Sequence, residues 1–265
     1  MNVFSANLLL RLVCALLLAG LLPLAYAQTD DDAAWKNPED PWEGFNRKIF
    51  FFNDGVDRYI LLPVASAYRF IMPQPLDQGV TNFFNNLLMP ISVVNSLFQL
   101  KFTGAGVNLG RFVLNSTVGV LGFIDIGIRV GLEERPEDFG QTLGYWGVPS
   151  GPYLVVPFWG GVTIRDGLGL FPDWALSLQS SINDVAVRNS LLAVQVIDKR
   201  ADLIPAEQLI TGDRYIFLRD AYLQQRKYLV ADGEVEDDFG DDSFGDDEFG
   251  DDFMDDFDDE SFELE

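Results

Sequence analysis

The sequence predicts an all-α fold, and three stretches with helical periodicity carry this prediction. Apolar residues recur at steps of three and four along residues 45–60, 78–100 and 205–231, which is the spacing of one face of an amphipathic helix. The chain has 265 residues, which is long enough to bury a sizeable core. We therefore expect one helical domain, over residues 42–231.

The N-terminus has the features of an export signal. Arg11 precedes an apolar run, and an Ala-Tyr-Ala sequence that ends at Ala27 matches a cleavage site before Gln28. We therefore expect a signal peptide over residues 1–27. The single cysteine, Cys14, precedes most of the apolar run, whereas a lipoprotein signal has its cysteine after that run. We therefore expect an exported chain whose lipidation is doubtful. The alternatives are that Cys14 is lipidated or that the N-terminal segment stays as an uncleaved anchor.

Composition argues against most kinds of catalytic site. The chain contains no histidine, which removes the usual general base and the commonest zinc ligand. We expect no catalytic residues, no metal and no cofactor. The net charge of -23 is concentrated in residues 232–265, which contain no Lys or Arg. Nucleic acid binding is not expected, because neutralising phosphates requires clustered basic side chains.

Residues 28–41 are polar and contain prolines, so they are interpreted as a leader that precedes the domain. The first helix follows over residues 45–60, and Pro63 predicts its end or a kink. A second helical stretch covers residues 64–71 and stops before a Pro-Gln-Pro turn.

The most informative stretch covers residues 78–100, where a helix would have an apolar face and an uncharged polar face. The apolar face comprises Phe83, Phe84, Leu87, Leu88, Ile91, Val94 and Phe98. The polar face comprises Asn82, Asn85, Asn86 and Ser92. A face that meets water normally carries charged residues, so this one indicates a headgroup zone, a polar channel wall or a buried amide network. A core helix with hydrogen-bonded amides is the alternative, and Pro90 predicts a bend or a split.

Two glycine-rich stretches follow. Residues 103–132 combine apolar side chains with many glycines, which allow close packing, but they match no phosphate-binding loop. Residues 137–161 are rich in glycine, proline and aromatics and have no charge after Asp138, so we expect turns and short pieces there. This segment either lines or gates a binding path, or it connects helices and fills a gap in the core.

The C-terminal part contains helical stretches at about 174–200 and 205–231. Residues 232–265 then form a low-complexity tail of aspartate, glycine and regularly spaced phenylalanine. Charge repulsion predicts disorder there, with either a solubilising role or a role for the phenylalanines in contacting a partner.

Several long blocks, in order, resemble one family closely, the MlaA family, also called VacJ. The blocks are DPWEGFNRKIFFFND (40–54), NFFNNLLMPISVVNSLFQ (82–99), RFVLNSTVGVLGFIDIG (111–127), EDFGQTLGYWGVPSGPYLVVPFWG (137–160), TIRDGLG (163–169) and DAYLQQRKYLVADGE (220–234). The resemblance spans about residues 37–234 and does not include the acidic tail.

The resemblance implies a ring-like bundle of amphipathic helices with a central polar channel, in the periplasmic leaflet of the outer membrane. Such a protein is not an enzyme. It removes mislocalised phospholipid from the outer leaflet and passes it to a soluble periplasmic lipid carrier, which maintains lipid asymmetry. The implied partners are phospholipid, that carrier, an outer-membrane porin trimer and, indirectly, an inner-membrane ATP-driven lipid transporter.

Three sets of residues become candidates on this basis. The lipid path would include Asn82, Asn85, Asn86 and Ser92. Gating or membrane-interface aromatics would be Tyr145, Trp146, Tyr153 and Trp159. Arg165 and Asp166 form either a pair that fixes the conformation or an ordinary surface ion pair.

Two other functions stay open at this point. A lipid hydrolase would need a nucleophile with a base, and without histidine the sequence offers no convincing arrangement. A structural or adhesive surface protein would act through the acidic tail. A chain that ends near Gly233 distinguishes this last function from transport, because transport does not require the tail.

Overall fold

The computed structural model describes residues 37–234, and these are mostly helical with one β-hairpin. The expected signal peptide, most of the polar leader and nearly all of the acidic tail lie outside the described residues. The elements in chain order are α1 (Glu43–Val56), a π-helical turn (Asp57–Leu61), α2 (Leu62–Ile71), α3 (Gln74–Phe98), α4 (Phe102–Thr117), α5 (Ile126–Arg129), α6 (Phe139–Tyr145), β1 (Tyr153–Val156), β2 (Gly160–Thr163), α7 (Ile164–Leu176), α8 (Val185–Leu203), a 3-10 turn (Pro205–Leu209) and α9 (Arg214–Val230).

Pro63 does not end the first helix. The backbone stays helical from α1 through the π-helical turn into α2, and Pro63 lies in the first turn of α2. A proline has no N–H to donate to the carbonyl four residues earlier, and the wider π-helical turn directly before Pro63 accommodates that missing hydrogen bond. The helix ends only where Met72 becomes extended before Pro73.

The stretch with the uncharged polar face forms one long helix, α3, which packs along α4. Pro90 lies inside α3 without ending it, so the predicted split is wrong. The apolar and polar faces of α3 therefore continue on both sides of Pro90.

The hairpin is the main departure from an all-α fold. Residues 137–161 contain α6 and β1 as well as turns, and β1 pairs antiparallel with β2 in a register that joins Tyr153 to Thr163. The Tyr-Leu-Val-Val sequence of β1 suits an extended backbone, and Gly160 has a φ of +104°, which only glycine adopts readily.

The C-terminal helices have different boundaries from those predicted. The predicted helix at 174–200 corresponds to the end of α7, an irregular stretch, and α8. Asp184 caps α8 by accepting hydrogen bonds from the backbone N–H groups of Ala186 and Val187. Asp213 caps α9 in the same way, so the predicted helix at 205–231 begins as a 3-10 turn and restarts at Arg214.

The interior of the described residues is unusually polar. Buried polar and charged side chains outnumber buried apolar ones by about two to one. The apolar cluster is small and centres on Tyr153, Val155 and Tyr215. Core packing of apolar side chains therefore supplies less of the stability than in an ordinary soluble domain, and hydrogen bonds and ion pairs join the helices instead.

The surface is correspondingly apolar. We call the exposed large apolar side chains the apolar exterior; its most exposed members are Phe70 (92%), Tyr59 (85%), Phe158 (77%), Phe171 (75%) and Ile71 (75%). An exposed apolar surface of this extent combined with buried polar groups indicates surroundings other than bulk water. Within residues 37–234, the helices lack an apolar stretch of the length needed to cross a bilayer.

Candidate functional site

The polar face of α3 faces the interior of the protein. Beyond the predicted residues it continues through Asn95, Ser96 and Gln99, all at most 1% exposed. Asn95 donates a hydrogen bond to Asp173 on α7 at 3.0 Å and accepts one from the hydroxyl of Thr142 on α6 at 2.9 Å. This face therefore holds several elements together through amides and hydroxyls.

The four predicted lipid-path residues occupy different depths. Asn86 and Ser92 are buried; Asn86 donates to the hydroxyl of Ser116 at 2.9 Å, and Ser92 exchanges hydrogen bonds with the backbone of Glu137. Asn82 and Asn85 are only half-buried, and the Asn82 amide lies 3.4 Å from the carbonyl of Phe123. Asn82 and Asn85 are therefore the two that a passing molecule could reach without unpacking α3.

Helix α4 contributes a second buried polar row that the sequence analysis missed. Asn108, Arg111 and Asn115 are each at most 3% exposed. Arg111 donates to Asp125 at 2.8 Å, and the side-chain oxygen of Asn115 accepts the backbone N–H groups of Ile126 and Gly127. The steps of three and four between these residues were the available signal, because they place all three on one helix face.

An ion cluster centred on Arg226 of α9 joins three helices. Its guanidinium donates to both oxygens of Asp138, at 2.6 and 3.0 Å, and to both oxygens of Asp166, at 2.9 and 3.0 Å. Desolvation raises the pKa of each carboxyl, but the hydrogen bonds and charge of Arg226 outweigh it and lower both pKa values. Both carboxylates therefore stay ionised and paired.

The predicted Arg165–Asp166 pair belongs to this cluster. The Arg165 guanidinium lies 3.0 Å from Asp166, and both residues are 7% exposed. The Tyr222 hydroxyl also donates to Asp166, and burial followed by the charge of Asp166 raises the pKa of Tyr222. The pair is therefore buried and lies at the junction of α6, α7 and α9.

The four predicted aromatics divide into two groups. Tyr145, Trp146 and Trp159 are each about half or more exposed, and Trp146 packs against Phe98 with its indole N–H on the Phe98 carbonyl. Tyr153 is 4% exposed and packs against Tyr215 in the apolar cluster. Tyr153 therefore contributes to the core.

A buried carboxylate without a cation lies where α2, α3 and α8 meet. Asp198 is 1% exposed and accepts hydrogen bonds from the hydroxyls of Tyr68, at 2.9 Å, and Thr81, at 3.1 Å. Within the described chain, no Lys or Arg forms an ion pair with it. Burial raises the pKa of Asp198, the hydroxyls offset part of this, and the negative charge of Asp77 adds to the increase.

This raised pKa predicts a pH-dependent stability. Native Asp198 keeps its proton to higher pH than the same residue does in the unfolded chain. The stabilisation of the fold that results is therefore fully present below the ordinary aspartate pKa of about 4. That contribution is lost as the pH rises through the raised pKa. We expect the wild type to lose unfolding free energy relative to the Asp198→Asn variant as the pH rises through the raised pKa of Asp198. Denaturant titrations at several pH values measure it, with the exposed Glu133→Gln as control; a pH-independent difference contradicts the assignment.

A cavity of about 480 Å³ lies among α1, the hairpin, α8, the 3-10 turn and α9. One part of its wall is apolar, including Phe50, Val155 and Phe217, and another part is charged, including Asp54 and Arg200. A lining that combines apolar and charged groups suits an amphiphilic molecule.

The arrangement offers groups that can bind both the polar and the apolar parts of a molecule. Among residues 37–234, no group of three or more His, Cys, Asp or Glu side chains is arranged to hold a metal ion. The buried amides, hydroxyls and paired charges can exchange hydrogen bonds with a polar group, and the apolar exterior can contact acyl chains.

Comparisons with known proteins agree on one family. Residues 38–229 match the family described as MlaA lipoprotein. The "Intermembrane phospholipid transport system lipoprotein MlaA" of Escherichia coli (strain K12) is 38% identical over 204 residues, which cover 74% of this chain and 80% of the relative. The protein of the same name from Haemophilus influenzae is 32% identical over 235 residues, which cover 85% and 92%.

A solved structure is also similar. It is described as "Structural basis for maintenance of bacterial outer membrane lipid asymmetry", is 36% identical, and superposes with a TM-score of 0.65 over 72% of this chain and 98% of that chain. The matching family and both relatives are described as lipoproteins, so the doubt about lipidation drawn from the position of Cys14 is not supported.

Proposed function

The chain belongs to the MlaA lipoprotein family, and on that premise we propose that it is a non-enzymatic component of an intermembrane phospholipid transport system. In this role it maintains the lipid asymmetry of the outer membrane. It takes mislocalised phospholipid from the outer leaflet and passes it to a soluble periplasmic lipid carrier.

One observation supports this function most strongly: the reversed polarity of the fold. Polar and charged side chains line the interior, and large aromatic side chains such as Phe70 and Phe171 lie on the surface. A protein seated among acyl chains needs an apolar surface, and a path for a zwitterionic or anionic headgroup needs a polar interior.

The finer architecture is part of the proposal. The helices form a ring around a polar channel, and the ring lies in the periplasmic leaflet. The similarity to the solved structure and the apolar exterior support this arrangement. A lipid on Cys14, the only cysteine in the chain, would add a membrane anchor to the contacts of the apolar exterior.

The lipid-path residues divide into two roles in this proposal. Asn82 and Asn85 contact the passing headgroup, because they are half-exposed and uncharged and would not trap it. Asn86 and Ser92 position the wall, because the Asn86 amide nitrogen donates to Ser116 and the Ser92 hydroxyl is bonded to the backbone of Glu137.

The hairpin gates the path in this proposal. Asn53 of α1 fixes its turn by donating to the carbonyl of Val156 and accepting from the N–H of Phe158. Trp159 and Phe158 at the tip are exposed, as a membrane-interface contact requires.

A valine at Gly160 tests the gate. Gly160 has a φ of +104°, and no atom lies within 4 Å of the position that a Cβ would take there, so valine would strain the turn without a clash. We expect Gly160→Val to reduce transport at least tenfold while the chain stays folded, because the strain lowers the free energy of unfolding by only about 1 to 3 kcal/mol. Gly55→Val, at a glycine on α1 that is also free of close neighbours, is the control. If Gly160→Val unfolds the whole chain, the hairpin is only a structural connector.

The partners are proposed from the family alone: the soluble lipid carrier, a porin trimer and, indirectly, an inner-membrane ATP-driven transporter. The energy source lies outside this chain, because a passive path cannot give transport a direction. The acidic tail is dispensable in this proposal.

The test is complementation of a strain that lacks its own protein of this family. The chain should restore low phospholipid in the outer leaflet, and so should a chain that ends at Gly233. Loss of function on truncation would favour the structural or adhesive role of the tail. Released fatty acid in place of intact, relocated phospholipid would favour the hydrolase.

A further inference from the structure

The charged wall of the 480 Å³ cavity is a continuous ion network. Arg200 of α8 donates to both oxygens of Asp57, at 2.7 and 2.9 Å, and to Glu207 at 2.8 Å. Arg214 of α9 donates to the same Glu207 oxygen at 2.8 Å and lies 3.4 Å from Asp54. We call these residues, together with Arg58 on the far side of Asp54, the cavity network.

The charges of the cavity network balance. It contains three arginines and three carboxylates: Arg58, Arg200, Arg214, Asp54, Asp57 and Glu207. Adding an anion would place an uncompensated charge against this partly buried network, whereas a molecule with one positive and one negative group would leave the sum unchanged.

Three buried polar atoms in the cavity network make no hydrogen bond of good geometry. They are Oδ1 of Asp54, Nη1 of Arg200 and Nε of Arg214, and all three residues line the cavity. The Asp54 and Arg214 atoms form only a long ion pair with each other, at 3.4 Å. Arg200 is only 8% exposed, so water does not readily reach its free nitrogen. Buried polar atoms without good hydrogen bonds are uncommon and cost free energy, so Nη1 of Arg200 and the long Asp54–Arg214 pair identify groups that a ligand could satisfy.

These three atoms specify the chemistry of the ligand, and a zwitterion can insert between the two that form the long ion pair. Two are donors on guanidinium groups, which suit the oxygens of a phosphodiester. The third is a carboxylate oxygen, which suits an N–H of a primary ammonium. The apolar part of the wall, with Phe50, Val155 and Phe217, suits the first carbons of acyl chains.

We propose that this cavity binds the headgroup of a zwitterionic phospholipid with a primary ammonium, the ethanolamine type. Its phosphate accepts hydrogen bonds from Arg200 and Arg214, and its ammonium donates to Asp54. A choline headgroup has no N–H to donate, and a glycerol headgroup has no cation. The inference rests on the proposed transport function and adds a headgroup preference to it.

Binding of three short-chain phospholipids to the full chain in mild detergent tests the inference. The probes are dihexanoyl phosphatidylethanolamine, phosphatidylcholine and phosphatidylglycerol, measured by native mass spectrometry. The ethanolamine lipid should bind about tenfold more tightly than the other two, since a hydrogen bond to a charged group is worth about that factor. Asp54→Asn should abolish this preference and leave choline binding within about twofold of the wild type.

Matched variants separate the cavity from general charge effects. Glu133→Gln removes an exposed carboxylate elsewhere and should keep the preference. Arg214→Lys keeps the positive charge but loses the Nε donor, so it should weaken all three lipids equally and keep the ethanolamine preference. This second variant provides the test if Asp54→Asn does not fold, as judged by its circular dichroism.

Each outcome decides the inference. Equal binding of the three lipids by the wild type, or an ethanolamine preference that survives Asp54→Asn or disappears in Arg214→Lys, overturns it. If the chain still restores outer-leaflet asymmetry in cells, only the headgroup inference has failed. If it neither binds any of the lipids nor restores asymmetry, the proposed function has failed as well.

Discussion

Replacing Arg226 with glutamine should lower the free energy of unfolding by about 3 kcal/mol, because it leaves Asp138 without a cation and Asp166 with Arg165 alone. Arg226 makes four hydrogen bonds to Asp138 and Asp166 and joins α9 to α6 and α7. About 3 kcal/mol is the lower end of the cost of breaking a buried ion pair. We expect the lower end because the Asp138 side chain is 36% exposed and water can partly solvate it. Denaturant unfolding followed by circular dichroism measures the change.

Lys227→Gln is the matched control, since Lys227 is the next residue on α9 and is exposed. It should change the unfolding free energy by less than about 0.5 kcal/mol. The pH dependence provides a second check. Arg226 lowers both carboxyl pKa values, so its stabilisation is present above about pH 4 and is lost as the pH falls through the lowered values. A loss below about 1 kcal/mol at neutral pH would contradict the role given to this cluster.

A glutamate on the apolar exterior should release the chain from lipid without unfolding it. Phe70 on α2 and Phe171 on α7 are 92% and 75% exposed, so they make few contacts inside the protein. In the proposed leaflet position, removing either phenylalanine loses about 1.5 to 3 kcal/mol of membrane-binding free energy from apolar burial. A charge placed among acyl chains adds a further penalty. We expect Phe70→Glu and Phe171→Glu each to lower the partition constant at least tenfold.

Co-flotation with liposomes measures this partition for a chain without an attached lipid, so that only the exterior is tested. The leucine substitutions Phe70→Leu and Phe171→Leu keep the surface apolar and should float nearly as well as the wild type. If the glutamate variants float equally well and melt at the same temperature, the apolar exterior is not the lipid-contacting surface.

Helices α1 and α3 were predictable because apolar residues recur along one face of each. The stripe from Phe45 to Ile60 and the two faces of α3 appear in the sequence as steps of three and four residues. The hairpin was not predicted, because four residues from Tyr153 are too short to show an alternation and are surrounded by glycine and proline. Its pairing depends on contacts to α1 that are distant in sequence.

The depth of a polar residue could not be predicted from its helix face. Asn82 and Asn86 lie one turn apart on α3, yet one is half-exposed and the other is 3% exposed, because only Asn86 faces the hydroxyl of Ser116 on α4. The ion clusters were missed for a similar reason. Arg226 meets Asp138 and Asp166 across 88 and 60 residues of sequence, a pairing that no local pattern reveals.

Photoreactive phospholipids in vesicles that contain the full chain would locate the lipid path directly. One probe carries the reactive group on the headgroup and the other carries it at the end of an acyl chain, and mass spectrometry maps the crosslinked residues. We expect headgroup crosslinks at the polar path, including Asn82 and Asn85, and acyl-chain crosslinks on the apolar exterior, including Phe70 and Phe171. Headgroup crosslinks confined to the exterior, with none at the polar path, would show that lipid does not pass through the interior.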